Sequence, residues 1–252
     1  MLKRTHHSLG YPIEYKLVIQ TNRPRKVGIV VKDADNANTL YTERWNTIKG
    51  KQEFFVKMPQ SPKLTEFNIF NVSKDKNSEG VRIAELTPQP LSWSAKAIGG
   101  ETKDTLDFVE FAQEFSQKAS SLSAGIYLSN NGKYIINYMD VIKNNATNEE
   151  ITTPARINII SGQIQVSKKI FLKYTIPGRM AILLHEYSHV YMNKKSSDES
   201  EADLNSARIY LGLGYPRVEL LNIWANVFYR ADTPGNRERW AYIKNYILKF
   251  ES

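Results

Sequence analysis

The sequence predicts an α+β protein in which an antiparallel β-sandwich precedes a mixed domain that ends in helices. Up to about residue 90, short segments alternate apolar with polar residues and are separated by turns rich in Pro and Asn, which is typical of a sandwich. From residue 104 onward, apolar residues recur mostly at intervals of three and four, as in amphipathic helices. No run of about 18 apolar residues occurs, so we expect no membrane span.

The first domain, residues 1–90, is predicted from four segments with the composition of strands. Residues 13–20 and 64–72 alternate apolar with polar side chains, while KVGIVVKD and QEFFVKM are short and rich in Val, Ile and Phe. Turn clusters such as TNRPR and DADNAN separate these segments. No chemical motif accompanies the strands, so we expect this domain to be a binding or assembly module.

Residues 91–103 are predicted to be a linker, because this stretch is rich in Ser and Gly and the periodicity changes across it. The second domain, residues 104–252, is expected to begin with a helix that has an apolar face. Two hairpins should follow, one closed at Asn131-Gly132 and the other turning near Gly162. The remaining helices are predicted at residues 177–193, 198–213, 216–229 and 235–250.

Charge and cysteine content limit the available chemistry. The formal net charge is +8, of which +6 lies in residues 1–90, with 15 Lys+Arg against 9 Asp+Glu. Such a domain suits an acidic partner, either nucleic acid or another anionic surface. The alternative is a solvated sheet face, since no motif that combines aromatic with basic residues accompanies the charge. The chain has no cysteine, so any metal must be held by His and carboxylate ligands.

The N-terminal segment MLKRTHHSLGYP begins basic but has no apolar run after it. We therefore expect no secretory signal peptide, and the localisation stays open. His6 and His7 fall in this segment and are expected to lie in a polar arm without a ligand.

The segment AILLHEYSHVYMN, residues 181–193, combines an apolar helix with groups suited to metal chemistry. Helical positions four apart lie on one face, so His185 and His189 can bind one ion. Glu186 is rotated by about a third of a turn and can reach a water on that ion, which is the arrangement of H-E-x-x-H zinc hydrolases. The alternative is a pair of core histidines with an ion-paired glutamate.

A catalytic zinc ion needs a third protein ligand and an open position. No histidine follows His189, so a carboxylate must serve, and the segment SSDESEADLNSARIY supplies candidates. Helical geometry places Glu199, Ala202 and Asp203 on one face. The small Ala202 lets this helix approach the metal helix closely. Glu199 can then bind the ion, and Asp203 can orient a histidine from behind.

Two overlapping capping boxes are possible at the start of this helix. The one that forms determines whether Glu199 or Glu201 is free to bind the metal. If Ser196 pairs with Glu199, the Glu199 carboxylate caps the helix, and Glu201 becomes the alternate ligand. If Asp198 pairs with Glu201, Glu199 stays free to bind the metal. We favour the second arrangement because it assigns a role to both glutamates.

HEYSH followed by ESEAD resembles the H-E-x-x-H…E-x-x-A-D pattern of gluzincin-type zinc metallopeptidases, and the likeness covers roughly residues 104–213. The resemblance implies a zincin-like domain at residues 104–252, zinc as cofactor, a peptide or protein substrate and peptide-bond hydrolysis. An edge strand from residues 155–167 would pair with the extended substrate. The roles implied by the motif are metal ligands at His185, His189 and Glu199, a general base at Glu186 and a supporting carboxylate at Asp203.

The sequence departs from that family in two respects. Only nine residues separate His189 from Glu199, which is short for the family and leaves little room for substrate. Many gluzincins stabilise the oxyanion with a downstream His or Tyr. Because no histidine follows, the candidates for that role are Tyr210, Tyr215 and Arg208.

The order of a basic sandwich before a zincin-like domain, with ADLNSARIYLGLGYPRVE after the motif, also resembles virion proteins of crAss-like bacteriophages. This resemblance implies an alternative function as a structural component of a phage neck, tail or ring. The partners would be other phage structural proteins, the chain would be oligomeric in the virion, and its metal site would be structural or inactive. Glu186 favours the peptidase instead, because a structural site has no use for a general base.

Overall fold

The computed structural model describes residues 1–73, 80–92, 103–192, 197–229 and 231–250. It confirms the α+β class, with an antiparallel sheet in the N-terminal part and helices in the C-terminal part. None of the helices in these ranges is long and apolar enough to cross a membrane. The chain divides into two compact units. Of the described residues, the first unit takes those up to 92 with 211–218 and 250, and the second takes 103–210 and 219–249.

The first unit is built on one hydrogen-bonded antiparallel sheet. Its order is β1-β4-β2-β3, and β5 pairs with the N-terminal half of β2. The long strand β2 pairs with β3 along most of its length, and its C-terminal half also pairs with β4. Alternate apolar residues of these strands, such as Leu17, Ile29 and Phe67, form a single buried core. The strands are β1 (Leu2–His7), β2 (Ile13–Asp33), β3 (Leu40–Met58), β4 (Leu64–Asn71) and β5 (Val81–Pro90).

Two expectations for this region are wrong. The TNRPR cluster is not a turn, because β2 runs through it with a register shift between Thr21 and Arg25. Such a bulge leaves residues of one strand unpaired and therefore tolerates Pro24. Residues 2–7 are not a free arm but strand β1, in which His6 Nδ1 lies 2.7 Å from the hydroxyl of Tyr15. The predicted linker, apart from residues 91, 92 and 103, lies outside the described residues.

The second unit begins with a helix and a small mixed sheet. Both predicted hairpins form, and Gly132 and Gly162 turn them with φ of +70° and +73°. The sheet order is β6-β7-β9-β8, so β8 is an edge strand, and β7 and β9 are parallel. The elements are α1 (Lys103–Lys118), β6 (Gly125–Leu128), β7 (Ile135–Met139), β8 (Ala155–Ile157) and β9 (Ile164–Ser167).

The helices that follow lie close to the predicted positions, but two of them end in a π-helical turn. The first is Ser188–Met192 after α3, and the second is Trp224–Phe228 after α5. Helix α1 packs against α3, where Phe108 stacks on Tyr187 with ring centroids 4.1 Å apart. The helices are α2 (Lys168–Phe171), α3 (Ile176–Tyr187), α4 (Glu199–Gly212), α5 (Arg217–Ile223) and α6 (Pro234–Lys249).

Candidate metal centre

Helix α3 carries the first candidate ligand and is capped at its N-terminus. The Thr175 hydroxyl accepts a hydrogen bond from the backbone N–H of Gly178 at 3.1 Å, and Pro177 occupies the first turn, where its missing N–H costs nothing. The side chains from Met180 to Leu184 are fully buried on all sides of the helix. The absence of charge around the motif therefore reflects a core helix.

The two histidines meet where α3 changes into its π-helical turn. Ser188 donates from its hydroxyl to the Leu184 carbonyl at 2.8 Å, a side-chain bond that often accompanies helix distortion. His185 and His189 remain on one side, with their Nε2 atoms 3.2 Å apart and their rings nearly perpendicular. Both imidazoles are buried, so their nitrogens converge on one small volume.

Glu199, the first residue of α4, brings its carboxylate to these two nitrogens. Its Oε2 lies 3.3 Å from His185 Nε2, and its Oε1 lies 3.8 Å from His189 Nε2. One donor atom from each of the three residues lies within 4.8 Å of the other two, so the group can hold a metal ion. Two imidazoles and one carboxylate form the donor set of many catalytic zinc sites.

The start of α4 shows why Glu199 is available. The Asp198 carboxylate accepts hydrogen bonds from the backbone N–H groups of Ser200 at 2.8 Å and Glu201 at 3.1 Å, so Asp198 is the N-cap. Glu201, the alternate ligand, is exposed and is not among the three clustered residues. Ser196 of the competing capping box lies outside the described residues.

Asp203 and Arg239 support the candidate ligands through direct contacts. Asp203 Oδ1 contacts His185 Nδ1 at 3.2 Å, which leaves His185 Nε2 directed at Glu199. A carboxylate behind a metal-binding imidazole orients the ring and makes it a better donor. Arg239 on α6 donates to Asp203 Oδ2 at 2.7 Å from Nη2 and at 3.0 Å from Nε, and its Nη2 also lies 3.2 Å from Glu199 Oε2. One guanidinium therefore links both carboxylates.

These contacts shift two pKa values in opposite directions. Burial alone would lower the pKa of His185, but its contacts with Asp203 and Glu199 outweigh burial and raise the pKa to about 9. The same contact with His185 holds the pKa of Glu199 at about 2, although burial opposes the change. The contacts of His185 with the two carboxylates thus favour its protonated form.

Glu186 faces the same cavity from the adjacent helical position. Ile157, at the end of β8, lines this cavity as well, and its backbone lowers the pKa of the Glu186 carboxyl slightly. Burial raises the pKa of Glu186, and the nearby Glu199 adds to this rise, whereas His185 and His189 oppose it. A raised pKa brings a carboxylate closer to the range in which it accepts and returns protons near neutral pH.

The cavity in front of these groups has a volume of about 450 Å³. The β8 edge strand and the segment before it form one wall, and the Phe228 ring, stacked on His185 at a centroid distance of 4.1 Å, forms part of another. The predicted edge strand therefore does lie beside the candidate ligands. The described lining residues are Ile151, Thr153, Ala155, Arg156, Ile157, Ile159, His185, Glu186, His189, Ser197, Glu199, Phe228, Asn236 and Arg239.

Arg239 and Phe228 were not predicted from the sequence, because they lie beyond the motif and have no recognisable spacing to it. Of the residues considered for oxyanion stabilisation, Tyr210 and Tyr215 are buried and Arg208 is exposed. None of these three belongs to the described lining, whereas Arg239 does. Comparison of the sequence with protein-family models and with curated proteins found no match.

Proposed function

We propose that this protein is a zinc-dependent, metallopeptidase-like hydrolase that cleaves peptide bonds. The observation that carries the proposal is the convergence of His185, His189 and Glu199 within 4.8 Å, with Glu186 on the same cavity. A purely structural site has no need of a carboxylate beside its ligands, whereas hydrolysis needs a proton acceptor there.

His185, His189 and Glu199 would hold the ion, and Asp203 would keep the His185 ring oriented. Zinc, when bound, lowers the pKa of water and polarises a carbonyl group. Glu186 would accept the proton of the attacking water and pass it to the leaving amine.

Arg239 and Arg156 are the two arginines of the described cavity lining, and Arg239 is the one that contacts a candidate ligand. Its guanidinium touches Glu199 at 3.2 Å and lies on the cavity wall. A positively charged donor at that position can stabilise negative charge that develops on a substrate carbonyl oxygen. Arg239 would thus supply a function that none of Tyr210, Tyr215 and Arg208 is placed to supply.

The alternative is a structural component of a phage particle in which the site is structural or inactive. One observation favours it: Glu199 is already engaged by Arg239, and a guanidinium on a metal ligand opposes the binding of a cation. The two functions differ in whether Glu186 is needed for any reaction.

The test is cleavage of a mixed peptide library by zinc-loaded protein, with the zinc content of every sample measured. Glu186→Gln should retain about one zinc ion per chain, on the three-ligand site, and should lose at least about 100-fold in cleavage rate, as expected for a general base. Glu110→Gln, which changes an exposed glutamate on α1, is the matched control and should cleave normally. Zinc binding without cleavage by any variant would favour the structural alternative, and absence of zinc would exclude both metal functions.

A further inference from the structure

The outward face of strand β3 carries a row of exposed side chains in the first unit. Within residues 45–55 the odd-numbered residues face solvent, while even-numbered ones such as Ile48 and Phe54 are buried in the core. On the path β1-β4-β2-β3 this strand is the last one, so one of its edges is unpaired among the described strands. The exposed row, called here the β3 face, is Trp45, Thr47, Lys49, Lys51, Glu53 and Phe55.

Cations from the neighbouring strands extend this face. Lys26 lies opposite Thr47, and Gln20 lies opposite Lys51. Arg82 of β5 pairs with Gln20 and donates to its side-chain oxygen at 2.6 and 3.1 Å. The β3 face therefore gathers the charges of Lys26, Lys49, Lys51 and Arg82 on adjacent strands.

These four charges are not neutralised within the described part of the chain, where none of them has a carboxylate within ion-pair distance. All four side chains are exposed. The one acidic residue in the row, Glu53, lies 3.0 Å from Lys16, which also contacts Glu85 of β5 at 3.6 Å, so the negative charge next to the row is confined to its Phe55 end. A surface of this kind attracts polyanions.

Aromatic rings stand at both ends of the row. Trp45 is 49% exposed, and Phe55 is 43% exposed. The Trp45 ring packs against Gly28 of β2. A Cβ atom at Gly28 would lie only 2.2 Å from the ring, so the indole can pack there because residue 28 has no side chain. Rings held in this way offer a face on which a base can stack.

We propose that the β3 face binds single-stranded nucleic acid. Unpaired cations between exposed aromatic rings are the combination that such ligands use, because phosphates meet the charges and unpaired bases stack on the rings. The eleven residues from Trp45 to Phe55 span at most about 33 Å over their ten intervals, which is long enough to contact several successive nucleotides. A duplex would leave the rings unused, since its bases are already stacked. This surface belongs to the first unit and does not depend on the proposed hydrolase.

The experiment measures the anisotropy of a fluorescein-labelled 15-nucleotide oligothymidylate as the full chain is added, at several salt concentrations. Lys49→Gln/Lys51→Gln should weaken binding at least about tenfold at low salt and reduce the slope of log affinity against log salt by about 1.4, because two phosphate contacts are lost. Lys63→Gln/Lys173→Gln removes the same charge at two other exposed positions and should retain most of the affinity. Trp45→Ala should weaken binding roughly tenfold, as for the loss of one stacked base.

Circular dichroism shows whether each variant is folded, and Phe55→Ala repeats the stacking test should Trp45→Ala not fold. Several outcomes would overturn the proposal. These are binding that falls equally in both lysine pairs, equal affinity for a duplex of the same length, or binding to vesicles with 30% anionic lipid but not to the oligonucleotide.

Discussion

Replacing Arg239 with glutamine is expected to destabilise the metal-free protein by about 3 kcal/mol. The Asp203 side chain is 2% exposed, and Arg239 donates to it at 2.7 and 3.0 Å. Removing one partner of a buried pair usually costs about 3–5 kcal/mol, because the remaining charge stays buried. We take the low end because Arg239 is itself 15% exposed and because His185 still contacts Asp203 at 3.2 Å.

The free energy of unfolding is obtained from urea denaturation followed by circular dichroism, in the presence of EDTA. EDTA is needed because a bound cation would replace the lost positive charge. The matched control is Arg237→Gln on the same helix, where the ion pair with Asp232 at 2.9 Å has both side chains more than half exposed. Exposed pairs contribute little, so the control should unfold as the wild type does.

A double-mutant cycle with Asp203→Asn then isolates the contact itself. If Arg239 acts through Asp203, the double variant should be less destabilised than the sum of the two single variants, by at least about 1 kcal/mol. An Arg239→Gln variant no less stable than Arg237→Gln, or two single effects that simply add, would show that the contact between Arg239 and Asp203 does not stabilise the protein.

Three further predictions concern the ligand, the first sheet and the metal helix. Glu199→Gln should weaken zinc binding by more than about 100-fold, since residues that only support a ligand already contribute about 10–100-fold. Glu201→Gln is the control and should bind zinc as the wild type does. Both affinities are measured in competition titrations with a chromogenic chelator. Glu66→Gln should lower the free energy of unfolding by at most about 1 kcal/mol at pH 7, because its Lys3 partner is half-exposed. Because Lys3 holds the pKa of Glu66 at about 2, below its ordinary 4.5, this difference should be complete above pH 4.5 and vanish toward pH 2 in denaturation series. Thr175→Ala should lower the urea midpoint by the equivalent of about 1 kcal/mol, the usual contribution of an N-cap.

The helices and hairpins of the second unit could be predicted because local signals agree with the tertiary structure there. Gly132 and Gly162 adopt the positive φ that their turns require, and the apolar periodicity matches the buried faces. The π-helical turn at Ser188–Met192 was not predicted, because apolar periodicity over five residues does not distinguish it from a continued α-helix.

The first sheet was harder to predict, since tertiary pairing overrides local composition in it. Residues 40–51 and 2–7 are rich in charged and polar side chains, yet both form strands, because partner strands supply their hydrogen bonds. Because the first half of β3 was not predicted to be a strand, the row of aromatic and basic side chains on it was not recognised either. Trp45, Lys49, Lys51 and Phe55 share a face only when the segment is extended.

The part of the candidate site that follows from helical spacing could be predicted from the sequence. His185, His189, Glu199 and Asp203 lie in two short segments, and the structure brings them together. Arg239 is contributed by α6, and Phe228 by the turn after α5, so neither has a fixed spacing to the motif. Residues that reach a site through the packing of distant helices leave no periodic signal in the sequence.

We propose that His185, His189 and Glu199 together hold zinc. Anomalous X-ray scattering from crystals of the full chain, collected on both sides of the zinc absorption edge, would locate that ion. We predict one strong peak per chain at about 2.0–2.2 Å from Nε2 of both histidines and from a Glu199 oxygen, with Asp203 still contacting His185 Nδ1. A zinc-soaked crystal with no peak between these three residues, or with its peak on other ligands, would contradict the claim.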